Sequence, residues 1–291
     1  MKRALTTIVA LACGALSLVG CGANSDVTLG SANFAESQLL SAIYAGALKA
    51  KGISVSETPP LGSREAYIPA LQDGSIDLIP EYTGTLLSYF DIHAPQTEPA
   101  EVYAAVQKAL PAPLTVLEMS QAQDRDAVVV PKAIADKYNA KSMEDLAPHC
   151  GELAFGGPPE FQRRSDGIPG IQKVYNCTFK SYTSLDAGGP LTLQALRDNQ
   201  IQAADIFTTD PSIPQDNLVA LTDPKSNFAA QNVVPLINST KATPQVRAVL
   251  NEVSSKLTTE ALIALNAQFN APDKPDQSTV AAEWLKQNGL G

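Results

Sequence analysis

The chain has 291 residues and a formal charge of -9, with 21 basic residues against 30 acidic ones. That balance excludes a nucleic-acid-binding role, which needs a basic face to neutralise phosphates. The length exceeds what one hydrophobic core usually serves, so two lobes are expected.

Lys2 and Arg3 precede an uncharged run over residues 4–20. This run is shorter than the ~20 residues of a membrane-spanning helix and reads as a secretory signal. It ends in Leu18-Val19-Gly20-Cys21, which resembles the bacterial lipobox. Cys21 is therefore expected to carry a lipid anchor, with residues 21–25 as a polar tether; an ordinary signal with an incidental cysteine is the alternative. Loss of residues 1–20 removes Lys2, Arg3 and Cys13, and moves the charge from -9 to -11. No later stretch approaches spanning length, so the mature chain is expected at the extracytoplasmic face of the cell membrane. Cys150 and Cys177 are then an even pair in an oxidising compartment and are expected to form a disulfide. Two unpaired buried thiols are the alternative. With only His149 nearby and no Cys-x-x-Cys spacing, no metal site is expected.

VTLGS (27–31) reads as a buried strand. A helix follows over residues 35–51, with Leu39, Leu40, Ile43, Tyr44, Ala47 and Leu48 as its apolar stripe and Gly52 as its stop. Asn33 and Glu36 have capping-box spacing. ISVSE (53–57) is a second strand, residues 63–74 a helix capped by Ser63 and stopped by Gly74, and IDLIPEY (76–82) a third strand. Further strands are DAVVVP (126–131), ELAFGG (152–157), QAADIFTT (202–209) and NVVPLIN (232–238), and three helices end the chain. Pro-rich stretches at 94–99 and 269–275 read as surface connections. The alternation predicts an α/β fold with mainly parallel sheets.

One unit occurs twice. LQDGSIDLIPEYT (71–83) and LRDNQIQAADIFT (196–208) both fit Leu-x-Asp-[Gly/Asn]-x-Ile-x5-[Tyr/Phe]-Thr without a gap. Each runs from a helix end through a stop and a strand to an aromatic residue followed by threonine. Ligands in open α/β sheets bind outside the carboxyl ends of strands. The two units would thus set Tyr82 and Phe207 on facing walls of an inter-lobe cleft.

GSANFAESQLL, LGSREAYIPALQDGSIDLIPEYTGTLL, EFQRRSDGIPGIQKVYN, LQALRDNQIQAADIFTTDP and NFAAQNVVPLIN follow one pattern in order. The chain resembles the osmoprotectant-binding lipoproteins of ABC importers, the ProX/OpuC type that takes glycine betaine, choline and carnitine. The resemblance implies a type II periplasmic-binding-protein fold, two α/β lobes joined by two crossover strands and closing on a small-molecule ligand. Crossovers near 123–126 and 225–231 would combine residues 26–123 with 229–291 in the first lobe and leave 124–228 to the second. It also implies a permease and an ATPase subunit as partners, a monomer, and no cofactor.

In such proteins four tyrosines usually cage a quaternary ammonium by cation–π attraction, worth ~0.5–2 kcal/mol per ring. Tyr82 retains one. Asp126 in DRDAVVV, Phe207 in FTTD and Gln231 in FAAQN stand at the other three, so only two rings are expected. Ala32 stands where a lysine is common. Thr85 and Arg164 match positions that can hold a ligand carboxylate, and Thr208 beside Phe207 is counted with the site. Thr85 reads also as a turn hydroxyl, and Arg164 equally as an ion-pair residue. A desolvated Asp126 needs a cation or donors, supplied by a choline-like ligand, by Arg125 or by Arg164. A neutral polyhydroxylated or phenolic ligand is the alternative cargo. No Gly-x-Ser-x-Gly, His-Glu-x-x-His or P-loop pattern supports an enzyme.

Overall fold

The computed structural model describes residues 27–271, 273 and 275–291. The expected signal segment, Cys21 and the expected tether lie outside the described residues. The strands are β1 (Val27–Leu29), β2 (Val55–Glu57), β3 (Leu78–Tyr82), β4 (Leu114–Val116), β5 (Asp126–Pro131), β6 (Ala154–Gly157), β7 (Ser181–Ser184), β8 (Ala203–Phe207), β9 (Leu218–Ala220) and β10 (Val233–Asn238). They form two sheets, in the orders β2-β1-β3-β10-β4 and β7-β6-β8-β5-β9. Each sheet is covered by helices on both faces, giving two α/β lobes.

The sheets are mixed, not mainly parallel. Only β1 with β2 and β3, and β6 with β7 and β8, pair in parallel. The other pairings place β10 antiparallel between β3 and β4, and β5 antiparallel between β8 and β9. Each of these strands enters its sheet directly from a crossover between the lobes, and the direction of entry fixes its orientation. The crossovers run side by side: Gln123 bridges Asn232 antiparallel, Asp124 N–H donates to the Gln231 carbonyl at 3.1 Å, and Val233 N–H to the Ala122 carbonyl at 3.0 Å.

The repeated unit is a structural repeat. Its stops, Gly74 and Asn199, both adopt left-handed backbone, with φ of 80° and 56°, which an L-residue other than Asn or Asp rarely tolerates. Its aromatics end β3 and β8. Its threonines perform one task twice. Thr83 N–H donates to the Asn232 carbonyl, and its hydroxyl accepts from Asn232 N–H, both at 3.1 Å. Thr208 N–H donates to the Arg125 carbonyl at 2.9 Å, and its hydroxyl accepts from Arg125 N–H at 3.0 Å. Each lobe thus grips one crossover strand.

Helix α1 (Ala35–Ala50) buries the expected stripe, but its N-cap is Phe34 without a side-chain cap. The capping-box expectation for Asn33 and Glu36 fails because Glu36 is drawn inward by other donors. Ser63 does precede α2 (Arg64–Asp73), yet its hydroxyl bonds Glu65 at 2.5 Å rather than capping the backbone. Thr83-Gly84-Thr85 is no turn but the start of α3 (Thr83–Phe90). A Cβ on Gly84 would meet the Ala230 carbonyl oxygen at 2.8 Å, so glycine lets α3 abut the second crossover.

Cys150 and Cys177 form the expected disulfide and are buried in the second lobe. They lie 27 residues apart in sequence. Closing a loop of that size removes about 3–4 kcal/mol of unfolded-state entropy. Replacing both by alanine should lower the unfolding free energy by about that amount in a urea titration; an unchanged midpoint would show that the cross-link does not constrain the unfolded chain.

Candidate functional site

The cleft lies between the carboxyl ends of β3 and β8, where Tyr82 and Phe207 both line it. A third ring, Phe34, sits between them. Its centroid is 6.0 Å from that of Tyr82 and 5.1 Å from that of Phe207, both tilted by nearly equal angles. Phe34 thus joins the expected two rings in one cluster, and Tyr67 and Tyr89 line the same cavity from the first lobe. The cavity encloses about 840 Å³ counted out to its open mouth.

Behind the rings is a buried acid network. Tyr82 donates its hydroxyl to Glu36 Oε1 at 2.6 Å, which fixes the ring. Glu36 Oε2 accepts from Thr209 Oγ1 at 2.7 Å and Asn266 Nδ2 at 2.5 Å. Thr209 follows β8, so Glu36 ties the first lobe to the second. Asp124 on the first crossover accepts from Thr209 N–H at 3.0 Å through Oδ1, while its Oδ2 is buried with no hydrogen-bond partner and the Glu36 charge lies close enough to act on it. Two neighbouring carboxyls each disfavour the other's ionisation. Burial, then the Glu36 charge, pushes Asp124 well above the ordinary carboxylate range, and burial raises Glu36.

A second acid pair lies on the other lobe. Asp126 and Phe207 are paired across β5 and β8, with Asp205 two residues back on the same face. Burial and then the neighbouring Asp126 charge push Asp205 well above the usual carboxylate range. Asp126 finds its cation in Arg164, whose Nη2 is 2.9 Å away, and accepts from Gln231 Nε2 at 3.2 Å. Arg125 turns away to Gln123. Arg164 also donates through Nε to Asp166 at 2.7 Å.

Gln231 is buried on the second crossover and spans the lobes: its Oε1 accepts from Thr85 N–H at 2.9 Å while its Nε2 serves Asp126. The Thr85 hydroxyl accepts from Arg64 Nη2 at 2.5 Å. Arg64 in turn makes a bidentate pair with the buried Glu81, at 2.9 and 2.7 Å. Ala32 lines the cleft beside Phe34. Thr208 does not line it; its hydroxyl is held by Arg125 and Asp124.

Sequence reasoning missed Phe34, Glu36, Arg64 and Asp205. Asp205 had a signal, an acid in an apolar run at the spacing that shares a strand face with Phe207. The partners of the others lie too far along the chain for any local pattern to show. Among the described residues, no group of three or more His, Cys, Asp or Glu could hold a metal ion, and no helix is long and apolar enough to cross a membrane.

A family model described as the substrate binding domain of ABC-type glycine betaine transport system matches residues 25–287. The chain is 27% identical to a glycine-betaine-binding protein of Pseudomonas aeruginosa, an alignment covering 100% of this chain and 96% of that protein. It is 29% identical to the carnitine transport binding protein OpuCC of Listeria monocytogenes, over 94% of this chain and 90% of that one. A crystal structure of a glycine betaine/carnitine/choline ABC transporter protein superposes with a TM-score of 0.72 at 24% identity, covering 91% of this chain and 99% of that one, and so shares the fold.

The raised Asp124 carboxyl sets a pH dependence. A carboxyl whose folded pKa lies above its unfolded value contributes stability below about pH 4 that is lost as pH rises through the raised value. Asp124→Asn puts an N–H2 where the unpartnered oxygen stands and keeps the Oδ1 acceptor, so position 124 no longer titrates. The stability of this variant relative to wild type should therefore improve from pH 4.5 to pH 8 in urea unfolding, by about 1 kcal/mol or more. An equal difference at both pH values would mean that Asp124 carries no such proton.

Proposed function

Because the chain belongs to the family of substrate-binding domains of ABC-type glycine betaine transport systems, we propose that it captures a methylated quaternary ammonium in the cleft, closes on it, and delivers it to a permease. The three rings carry this reading. A trimethylammonium has no N–H to donate, so it is recognised by aromatic faces and by negative potential behind them. Phe34, Tyr82 and Phe207 supply the faces from both lobes. The acid pair of Glu36 and Asp124, behind the Tyr82 ring, supplies the potential. Contact with both lobes gives the ligand higher affinity for the closed form, which is what drives closure.

In this reading residues 26–123 with 229–291 move against 124–228, and a lipid on Cys21 holds the monomeric protein near its permease and ATPase. A polyhydroxylated or phenolic cargo would need Asp126 and Gln231 free to bond hydroxyls. Their bond to each other, and those to Arg164 and Thr85, favour the ammonium.

Tyr82→Ala should weaken binding of glycine betaine by about tenfold or more in calorimetric titration. Phe34→Ala should do the same if the third ring meets the ligand. Full affinity in either folded variant would take that ring out of the site. Silence of the wild-type protein toward glycine betaine, choline and carnitine, with heat from a polyol or phenol, would replace the cargo altogether.

A further inference from the structure

The first crossover passes from one lobe to the other at a single residue. Gln123 N–H donates at 2.9 Å to Oγ1 of Thr259, at the head of a helix whose Leu262 and Leu265 belong to the first lobe's core. Arg125 N–H donates to Thr208 in the second lobe. Asp124 lies between them, and its Oδ1 accepts from Thr208 and Thr209 on the second lobe's side. Glu36 comes from the first lobe and reaches Thr209 as well. Both carboxyls are buried, and Asp124 Oδ2 meets no donor. The groups around the pair are Tyr82 from β3, Thr208 and Thr209 after β8, and Asn266 from the helix Thr259–Phe269, all neutral. Beyond Tyr82, Glu81 is neutralised by Arg64, and Arg125 turns to Gln123. Among the described residues, no cation pairs with either acid.

Resting on the reading that the ligand is captured by lobe closure, we propose that closing the cleft takes up a proton, held by the Glu36–Asp124 pair, so that capture tightens in acid. With the lobes apart, Thr209 leaves Glu36 and water reaches both carboxyls, so each ionises in its ordinary range. With the lobes together, two adjacent charges without cation or water disfavour each other, and one carboxyl keeps a proton. On Asp124 that proton turns the unpartnered Oδ2 from an acceptor into a donor. A pair that holds its proton more tightly when closed favours closure at low pH. That advantage fades as pH rises through the raised value. Asp126 and Asp205 are also adjacent, but both sit on one sheet of the second lobe with Arg164 beside them. Lobe motion leaves their pairing intact.

Calorimetry with glycine betaine and choline, neither of which titrates between about pH 5.5 and about pH 8, tests this. The dissociation constant should rise about tenfold or more across that range. At the acid end, the binding heat should vary with the ionisation enthalpy of the buffer, reporting uptake of about half a proton or more per ligand. Asp124→Asn should remove most of both effects, whatever its affinity. Glu36→Gln should do the same and is measured beside it, because Asn266 can turn its free Oδ1 toward the new amide. Asp205→Asn should leave both effects in place. A wild-type dissociation constant independent of pH would overturn the proposal and leave the capture reading standing. So would a dependence that persists in folded Asp124→Asn and Glu36→Gln, or one that vanishes in Asp205→Asn. Silence of the wild type toward both ligands and carnitine across the range would overturn both.

Discussion

The backbone of residues 122–124 lies antiparallel to that of residues 231–233, and the cleft is defined by how each lobe holds that pair. Thr83 and Thr208, at equivalent places in a repeated helix–stop–strand unit, each bond one crossover through both the amide and the hydroxyl. The residue just before each threonine is the aromatic that faces the cavity. Ring position and hinge anchorage are therefore set by adjacent residues. An error of one residue in either strand would turn the ring away and release the crossover together.

Gln231 extends the same arrangement into the cleft. It sits on a crossover and bonds Thr85 in the first lobe and Asp126 in the second. Where the resemblance places an aromatic ring, this chain has a polar link between hinge and both walls. The ring surface shifts to Phe34, and the acids shift to a buried set in which burial and neighbouring charge raise Asp124 and Asp205 well above the ordinary carboxylate range. Isolated buried carboxylates would be strongly unfavourable; pairing them with each other, with Arg164 and with the Tyr82 hydroxyl makes the set tolerable.

The repeated unit was readable because everything in it is local: a stop that accepts left-handed backbone, a strand of fixed length, a ring at its end. Tyr82 and Phe207 followed from the rule that ligands gather outside strand ends. The even cysteine pair was readable from compartment alone. Strand direction was not, because β5 and β10 have the apolar runs of parallel strands and their orientation comes from the crossovers. Glu36 was misread for a related reason. Its spacing from Asn33 is that of a cap, but its partners are 46, 173 and 230 residues away. Arg64 was not singled out, because its partner Glu81 lies 17 residues further along the chain on another element.

The first lobe is assembled from both ends of the polypeptide. Its core joins Val27, Leu29 and the stripe of α1 to Val253, Trp284, Leu285 and Leu290. The second lobe's sheet, by contrast, is built from one continuous stretch, from Asp126 to Ala220. A chain emerging amino end first can complete the second lobe while the first still lacks β10 and the helices that cover α1. Until the last helices are available, the face of α1 that meets them is bare, and the crossovers have no fixed frame to span. The order of synthesis thus makes the inserted lobe the earlier folding unit and leaves the cleft, which needs both lobes, as the last feature of the molecule to exist.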